Sequence, residues 1–242
     1  MNDAVISSSK FTGWAAIIGG ILAFLNIGLV LSATGADFEI LLHAPSALAM
    51  SSEARDLYRW GMVADVFGFY LPFIAIGVFL WRLFRDSAGA WGDMALLCIV
   101  VYVLVGCAGA MLQAAAFNPL AHLHAGGDDA VKAAAEAAWT AVAYGVQKGL
   151  WWIEGPTLLF WGLVVASRLK TAGAGRWLVL LLQATAWAYG LTSVTGLSDG
   201  LTDLNGLFVT IAVLLLPLWM IWFGAGVLRG KIIAAPTMPP RP

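Results

Sequence analysis

Charge is scarce in this chain. Only 11% of its 242 residues are Asp, Glu, Lys or Arg, where soluble domains carry about a quarter. The net charge of −1 leaves no electrostatic footprint for nucleic acid. There are two cysteines, Cys98 and Cys107. On one helix they stand roughly 13 Å apart along the axis, beyond disulfide reach, so they read as packing residues. None of the three histidines lies in an apolar run, which excludes haem held between two helices. HExxH and GxSG motifs are absent, so zinc and serine intramembrane proteases lack their parts. No Gly-rich phosphate loop occurs either. His122 and His124, with Asp128 and Asp129 nearby, have some metal-ligand chemistry. A third close His is missing, so no metal is assigned and no cofactor is expected.

Apolar residues are abundant instead. They make up 61% of the chain, and the mean hydropathy is +0.85. A membrane-spanning helix needs roughly 20 apolar residues, so the length is spent mostly on spans. We expect an all-α, polytopic transmembrane helix bundle in one domain covering residues 1–242. The apolar runs predict six spans, at about 11–33, 60–81, 92–117, 144–168, 177–194 and 204–228. The first is longer than a signal-peptide core and reads as a retained span. Residues 34–59 and 118–143 read as long loops, and 232–242 as a disordered Pro-rich tail. Pro45 and Ser51-Ser52 argue against one long helix in the first loop, and Asn118-Pro119 should end the third span. Within the second loop, acids before an Ala-rich run predict a helix starting near Asp128 that continues into the fourth span.

Lys and Arg give the orientation. With six spans both termini share a side. That side holds Lys10, Arg82, Arg85, Arg168, Lys170, Arg176, Arg229, Lys231 and Arg241. The other holds Arg55, Arg59, Lys132 and Lys148. Both termini should be cytoplasmic and both long loops external, in a multi-pass protein of the cell membrane.

The fourth span carries the strongest functional signal. Glu154 lies in an apolar run, followed directly by Gly155-Pro156. An intramembrane acid is expensive and marks a functional site by default. At about 1.5 Å rise per residue, Glu154 falls roughly 3 Å outward of its span's centre. By the same measure Asn26 falls roughly 6 Å, Asp65 roughly 8 Å and Gln113 roughly 13 Å outward. Tyr189 also lies in the outer half. With Trp151 beside the acid, these six residues suggest one polar, outward-facing cavity in the outer leaflet.

Plainer readings stand beside this one. A polar network can simply lock helices together. Trp151 and Trp152 can pack against neighbours rather than stack on a ligand. Lys148 can snorkel to the interface, and six residues from Glu154 it lies on another face. Pro156 frees the Trp152 carbonyl, which either coordinates a cation or marks a tolerated kink. Gly106, Ala110 and Ala114 recur every four residues, a small-residue stripe for close helix contact.

The layout resembles bacterial six-helix proteins known as domain of unknown function 4386. The likeness is carried by a short polar start, a Gly-rich first span (Gly13-Trp14, Gly19-Gly20), and two long outer loops separated by two spans. It covers about residues 11–230. It implies a bacterial inner-membrane protein and brings no catalytic residues. Three functional readings follow. The first is a protein that binds or moves a small ligand or ion. The second is an interaction subunit of a homo-oligomer or membrane complex. The third, an intramembrane enzyme using Asp65 and Glu154, is the least supported.

Overall fold

A computed structural model describes residues 3–232, apart from the side chains of residues 3–8 and of Asp199. Among the described residues the chain is all helical, with no strand. Six helices are long and apolar enough to cross a membrane: Ser9–Thr34, Ser52–Ala88, Ala90–Gly126, Asp129–Thr171, Arg176–Thr195 and Thr202–Leu228. These are the hallmarks of a multi-pass membrane protein, and we number the long helices one to six in that order. The first begins, and the sixth ends, at what we call the terminal end. The opposite one is the far end.

The second long helix is the central one, with 67% of its most apolar window buried against 33% for the first and the sixth. An apolar helix surrounded by neighbours must satisfy every backbone group within the protein. Leu-, Ile- and Trp-rich surfaces on the outer helices, such as Phe11, Leu97, Leu104 and Trp222, stay exposed. Inside, Phe73, Trp161, Trp219 and Phe223 form an aromatic core, with Phe73 and Trp161 centroids 5.4 Å apart and Trp219 and Phe223 4.9 Å apart.

The helices outrun their apolar segments. Where residues 34–59 read as a loop, the second long helix already starts at Ser52, with Ser51 accepting from the Ala54 N–H as its cap. The break at Pro45 and Ser51-Ser52 is real, but it ends there. Residues 118–143 are likewise not a loop. The third long helix passes through Pro119 and continues to Gly126. Proline removes the N–H that would bond the Ala115 carbonyl, yet the turn around it is held from outside. Arg59 Nε donates to the Ala114 carbonyl at 3.2 Å and Arg55 Nε to Asn118 Oδ1 at 3.3 Å. After a single turn, Asp128 caps the next helix by accepting from the Val131 N–H at 3.0 Å, and that helix runs on without a gap to Thr171.

A compact cap covers the far end. It consists of a single 3₁₀ turn, Phe38–Leu41, and a short helix, Ala44–Leu48. Trp139, fully buried, donates to the Leu41 carbonyl at 2.8 Å and stacks on Phe117 at 4.5 Å, so the cap is tied to the third and fourth long helices. At the terminal end Ile232 is buried against Gly226. The rest of the expected tail, 233–242, lies outside the described residues.

Candidate functional site: a buried two-carboxyl centre

Two of the long helices are irregular near their middles, and both irregularities precede a proline. In the second, a π-turn at Val66–Tyr70 stands before Pro72. In the fourth, a π-turn at Gly145–Leu150 and a 3₁₀ turn at Trp151–Ile153 stand before Pro156. A helical proline leaves the carbonyl four residues back without its bond, and the chain relaxes by rewinding the turn ahead of it. Such π-turns gather at functional sites. Asp65 is the last residue before one of them, and Glu154 is the first after the other pair.

The rewinding brings the site together. Tyr70 donates its hydroxyl proton to Glu154 Oε1 at 2.8 Å. Tyr70 and Glu154 each sit two residues before their proline. Asp65 lies close to the Tyr70 side chain. Five residues apart on a regular α-helix, Asp65 and Tyr70 would diverge by about 140°. The π-turn, with its Leu71 N–H bonded to the Val66 carbonyl, takes up most of that divergence.

Two glycines make the approach of the helices close enough. A Cβ on Gly106 would overlap the Tyr70 ring, so only glycine leaves room for that ring against the third long helix. A Cβ on Gly155 would come within 2.5 Å of the Tyr189 carbonyl oxygen, so glycine also brings the fifth long helix against Glu154. Tyr102 and Tyr189 complete the wall. The Tyr102 ring lies 5.3 Å from Tyr70 and 6.3 Å from Tyr189, centroid to centroid.

The carbonyls loosened by the irregular turns are taken up by other helices. Tyr102 donates to the Phe69 carbonyl at 3.2 Å. Ser193 Oγ donates to the Trp152 carbonyl at 2.9 Å. The carbonyl that Pro156 frees is therefore a clasp between the fourth and fifth long helices rather than a ligand for a cation. Trp152 Nε1 donates back to the Ser193 carbonyl at 2.9 Å, which makes the clasp reciprocal.

The six residues singled out in the sequence do not all meet. Asp65, Glu154 and Tyr189 share the centre. Asn26 does not. Its Nδ2 donates to the Gly61 carbonyl at 2.8 Å and locks the first long helix to the second. Gln113 lies farther toward the far end, where its Oε1 accepts from the buried Tyr58 hydroxyl at 2.6 Å. Trp151 packs its indole nitrogen against Gly109, one helical turn from Gln113. Gln113 Nε2 and Trp151 Nε1 are both buried and have no hydrogen-bond partner among the described residues. The stripe of Gly106, Ala110 and Ala114 is consumed inside the bundle, since all three are buried.

Sequence reasoning missed Tyr58, Tyr70 and Tyr102. A signal was present: the chain has five tyrosines, and four of them, Tyr58, Tyr70, Tyr102 and Tyr189, are buried along this polar line. The centre is closed in this conformation, with Asp65, Glu154 and Tyr189 each 7% exposed and Tyr70 4%. An open groove of ≈ 490 Å³ lies elsewhere, at the far end between the cap and the fourth long helix, beside His43, Glu136 and Tyr144. His124 Nε2 meets Glu136 Oε1 at 2.9 Å nearby, and His122 is exposed. Lys148 is exposed too, away from Glu154.

Among the described residues no Lys or Arg forms an ion pair with either buried carboxyl. Two acids from different helices thus converge on one tyrosine in a buried, aromatic surround. Chemically this arrangement can hold a proton or a small cation between oxygen ligands. Compared with protein-family models, with curated proteins and with solved structures, the chain matches none.

Proposed function

We propose that the chain is an inner-membrane protein that binds or moves a small cation, a proton included, at the Asp65–Glu154 centre. The observation that carries this reading is the convergence of two buried acids on Tyr70, with no ion pair to a Lys or Arg among the described residues. One hydroxyl has one proton to give, and Tyr70 gives it to Glu154. Asp65, beside the same side chain, therefore needs a proton of its own or a cation in its place. A buried charge without such compensation is too costly to keep.

The route to the centre runs from the far end, along Tyr58 and Gln113. The two partnerless donors, Gln113 Nε2 and Trp151 Nε1, favour that side because they can serve an acceptor on the way. With both termini cytoplasmic, this is the outward side. Kinship with the six-helix proteins of domain of unknown function 4386 is part of the same proposal and rests on layout.

The test uses the full chain in proteoliposomes, with a trapped pH dye and radioactive sodium as the two probes. Proton or sodium flux is expected in the wild type. Glu154→Gln and Asp65→Asn should each lower it at least tenfold, and the double variant should be no worse than either, because the two groups form one site. Wild-type flux in both variants, or no flux and no sodium binding in the wild type, would replace this reading with that of an interaction subunit.

A further inference from the structure

Coming from the far end, an ion meets the cap first and a stack of three aromatic rings next. Tyr58 of the second long helix, Phe117 of the third and Trp139 of the fourth are all buried. The Tyr58 and Phe117 rings meet edge to face at 5.2 Å, and Phe117 stacks on Trp139 at 4.5 Å. Tyr58 also donates to Gln113, so the inner end of the stack is the outer end of the polar line. The outer end of the stack is Trp139, which is bonded to the cap.

The cap is held lightly. It turns Leu41, Ala44, Ala47 and Leu48 inward, a small apolar face. Among the described residues two side-chain hydrogen bonds tie it to the long helices. Arg55 Nη1 donates to the Met50 carbonyl at 2.6 Å, where the second long helix begins. Trp139 Nε1 donates to the Leu41 carbonyl at 2.8 Å. The chain turns extended at His43 (φ −95°, ψ 93°), so no later backbone N–H folds back on that carbonyl and the indole supplies its donor. The joint to the first long helix is Gly35-Ala36, two successive residues in the left-handed region at φ 63° and 67°. Glycine adopts that region freely and alanine only under strain, so the joint has other conformations to turn to. Beside the Trp139 bond, the ≈ 490 Å³ groove separates His43 and Pro45 of the cap from Glu136, Thr140 and Tyr144, which leaves the cap room to shift.

We propose that the cap is a lid on the outer route, latched by the Trp139 indole on the Leu41 carbonyl. Release of that bond frees Trp139 to turn off Phe117 and opens the way to Tyr58 and Gln113. The inference rests on the reading of Asp65 and Glu154 as an ion centre reached from the far end, and it supplies the gate that a closed centre requires. Lids of this kind shut a site away from water between passages. A latch of one hydrogen bond suits the task. It biases the lid toward closure by about fivefold, enough to favour the shut state and little enough to let it open.

The experiment uses the full chain in proteoliposomes, with Gln113→Cys on a Cys98→Ser, Cys107→Ser background and a small charged methanethiosulfonate as the probe. Trp139→Phe keeps a stacked ring and removes the N–H. It should raise the labelling rate of the cysteine about fivefold, the weight of one such bond. An unchanged rate overturns the proposal. Hydrogen exchange of the wild-type chain, read by mass spectrometry, carries the test if Trp139→Phe does not fold. A turn and a helix as short as those of the cap unravel once undocked. The amides of Leu42, His43, Ala47 and Ala49, all bonded within the cap, should therefore exchange together and well ahead of the long helices beneath them. Equal protection of cap and helices overturns the proposal too. Flux separates the lid from its cargo. With Gln113 in place, Trp139→Phe should raise proton or sodium flux severalfold. Faster labelling with no flux in either protein upholds the lid and removes the ion reading.

Discussion

Replacing Gly106 by alanine should do more damage than one methyl group suggests, and its effect should reverse sign when Tyr70 is removed. The new Cβ falls on the Cδ1, Cε1 and Cζ atoms of the Tyr70 ring. That ring has little freedom to yield, because Tyr102, one turn from Gly106 on the same helix, lies 5.3 Å away. Overpacking of this kind costs about 1–3 kcal/mol. Turning the ring also breaks its bond to Glu154, a further loss of about 1–3 kcal/mol for a buried carboxyl left unsatisfied. Alanine returns up to about 1 kcal/mol of helix propensity over glycine. The net loss is therefore roughly 1–5 kcal/mol, which for a chain of this size lowers the melting temperature by about 2–4 °C for each kcal/mol. Thermal melting in detergent, followed by tryptophan fluorescence, measures it. In a Tyr70→Ala background the obstacle is gone and only the propensity gain remains. There Gly106→Ala should raise the melting temperature by up to about 4 °C. An equal loss in both backgrounds, or no loss in either, would show that Gly106 is not the seat of the Tyr70 ring.

Two further outcomes separate locks from site and fix the orientation. Asn26→Ala removes the bond to the Gly61 carbonyl and should cost about 0.6–1.7 kcal/mol, the range of hydrogen bonds between membrane helices, seen as a small drop in melting temperature. It should leave ion flux at the wild-type level, and a flux loss comparable to that of Glu154→Gln would return Asn26 to the site. In cells, single cysteines placed at Asp56 and Gly127 on a Cys98→Ser, Cys107→Ser background should react with a membrane-impermeant maleimide. Protection of both would invert the topology.

The long helices were legible because each contains an apolar run that water cannot host. Their ends were not, because a helix need not stop where the apolar run stops. Ser51 starts the second long helix well before Trp60, and Arg55 and Arg59 carry the third one through Pro119. Glu154 and Asp65 were legible as acids in apolar surroundings. Their tyrosine partner was not, because counting residues on a regular α-helix puts Tyr70 on the wrong side of Asp65. Depth alone also grouped Asn26 and Gln113 with the acids, although one is spent on the Gly61 carbonyl and the other on the Tyr58 hydroxyl. Depth places a residue along a helix axis and says nothing of the direction in which it points.

The paired π-turns have a consequence for how this chain tolerates change. Each acts as a phase shifter. It inserts about one residue of rotation, so the two halves of its helix present faces roughly 100° apart from what an unbroken helix would give. Losing a single residue from Val66–Tyr70 would leave a smooth helix, lacking only the bond that Pro72 denies, and yet turn Tyr58, Met62 and Asp65 away from the neighbours they now meet. In this fold the acids are aimed by a counting offset in the backbone, and insertions or deletions within those two turns act on the centre as directly as substitution of the acids themselves.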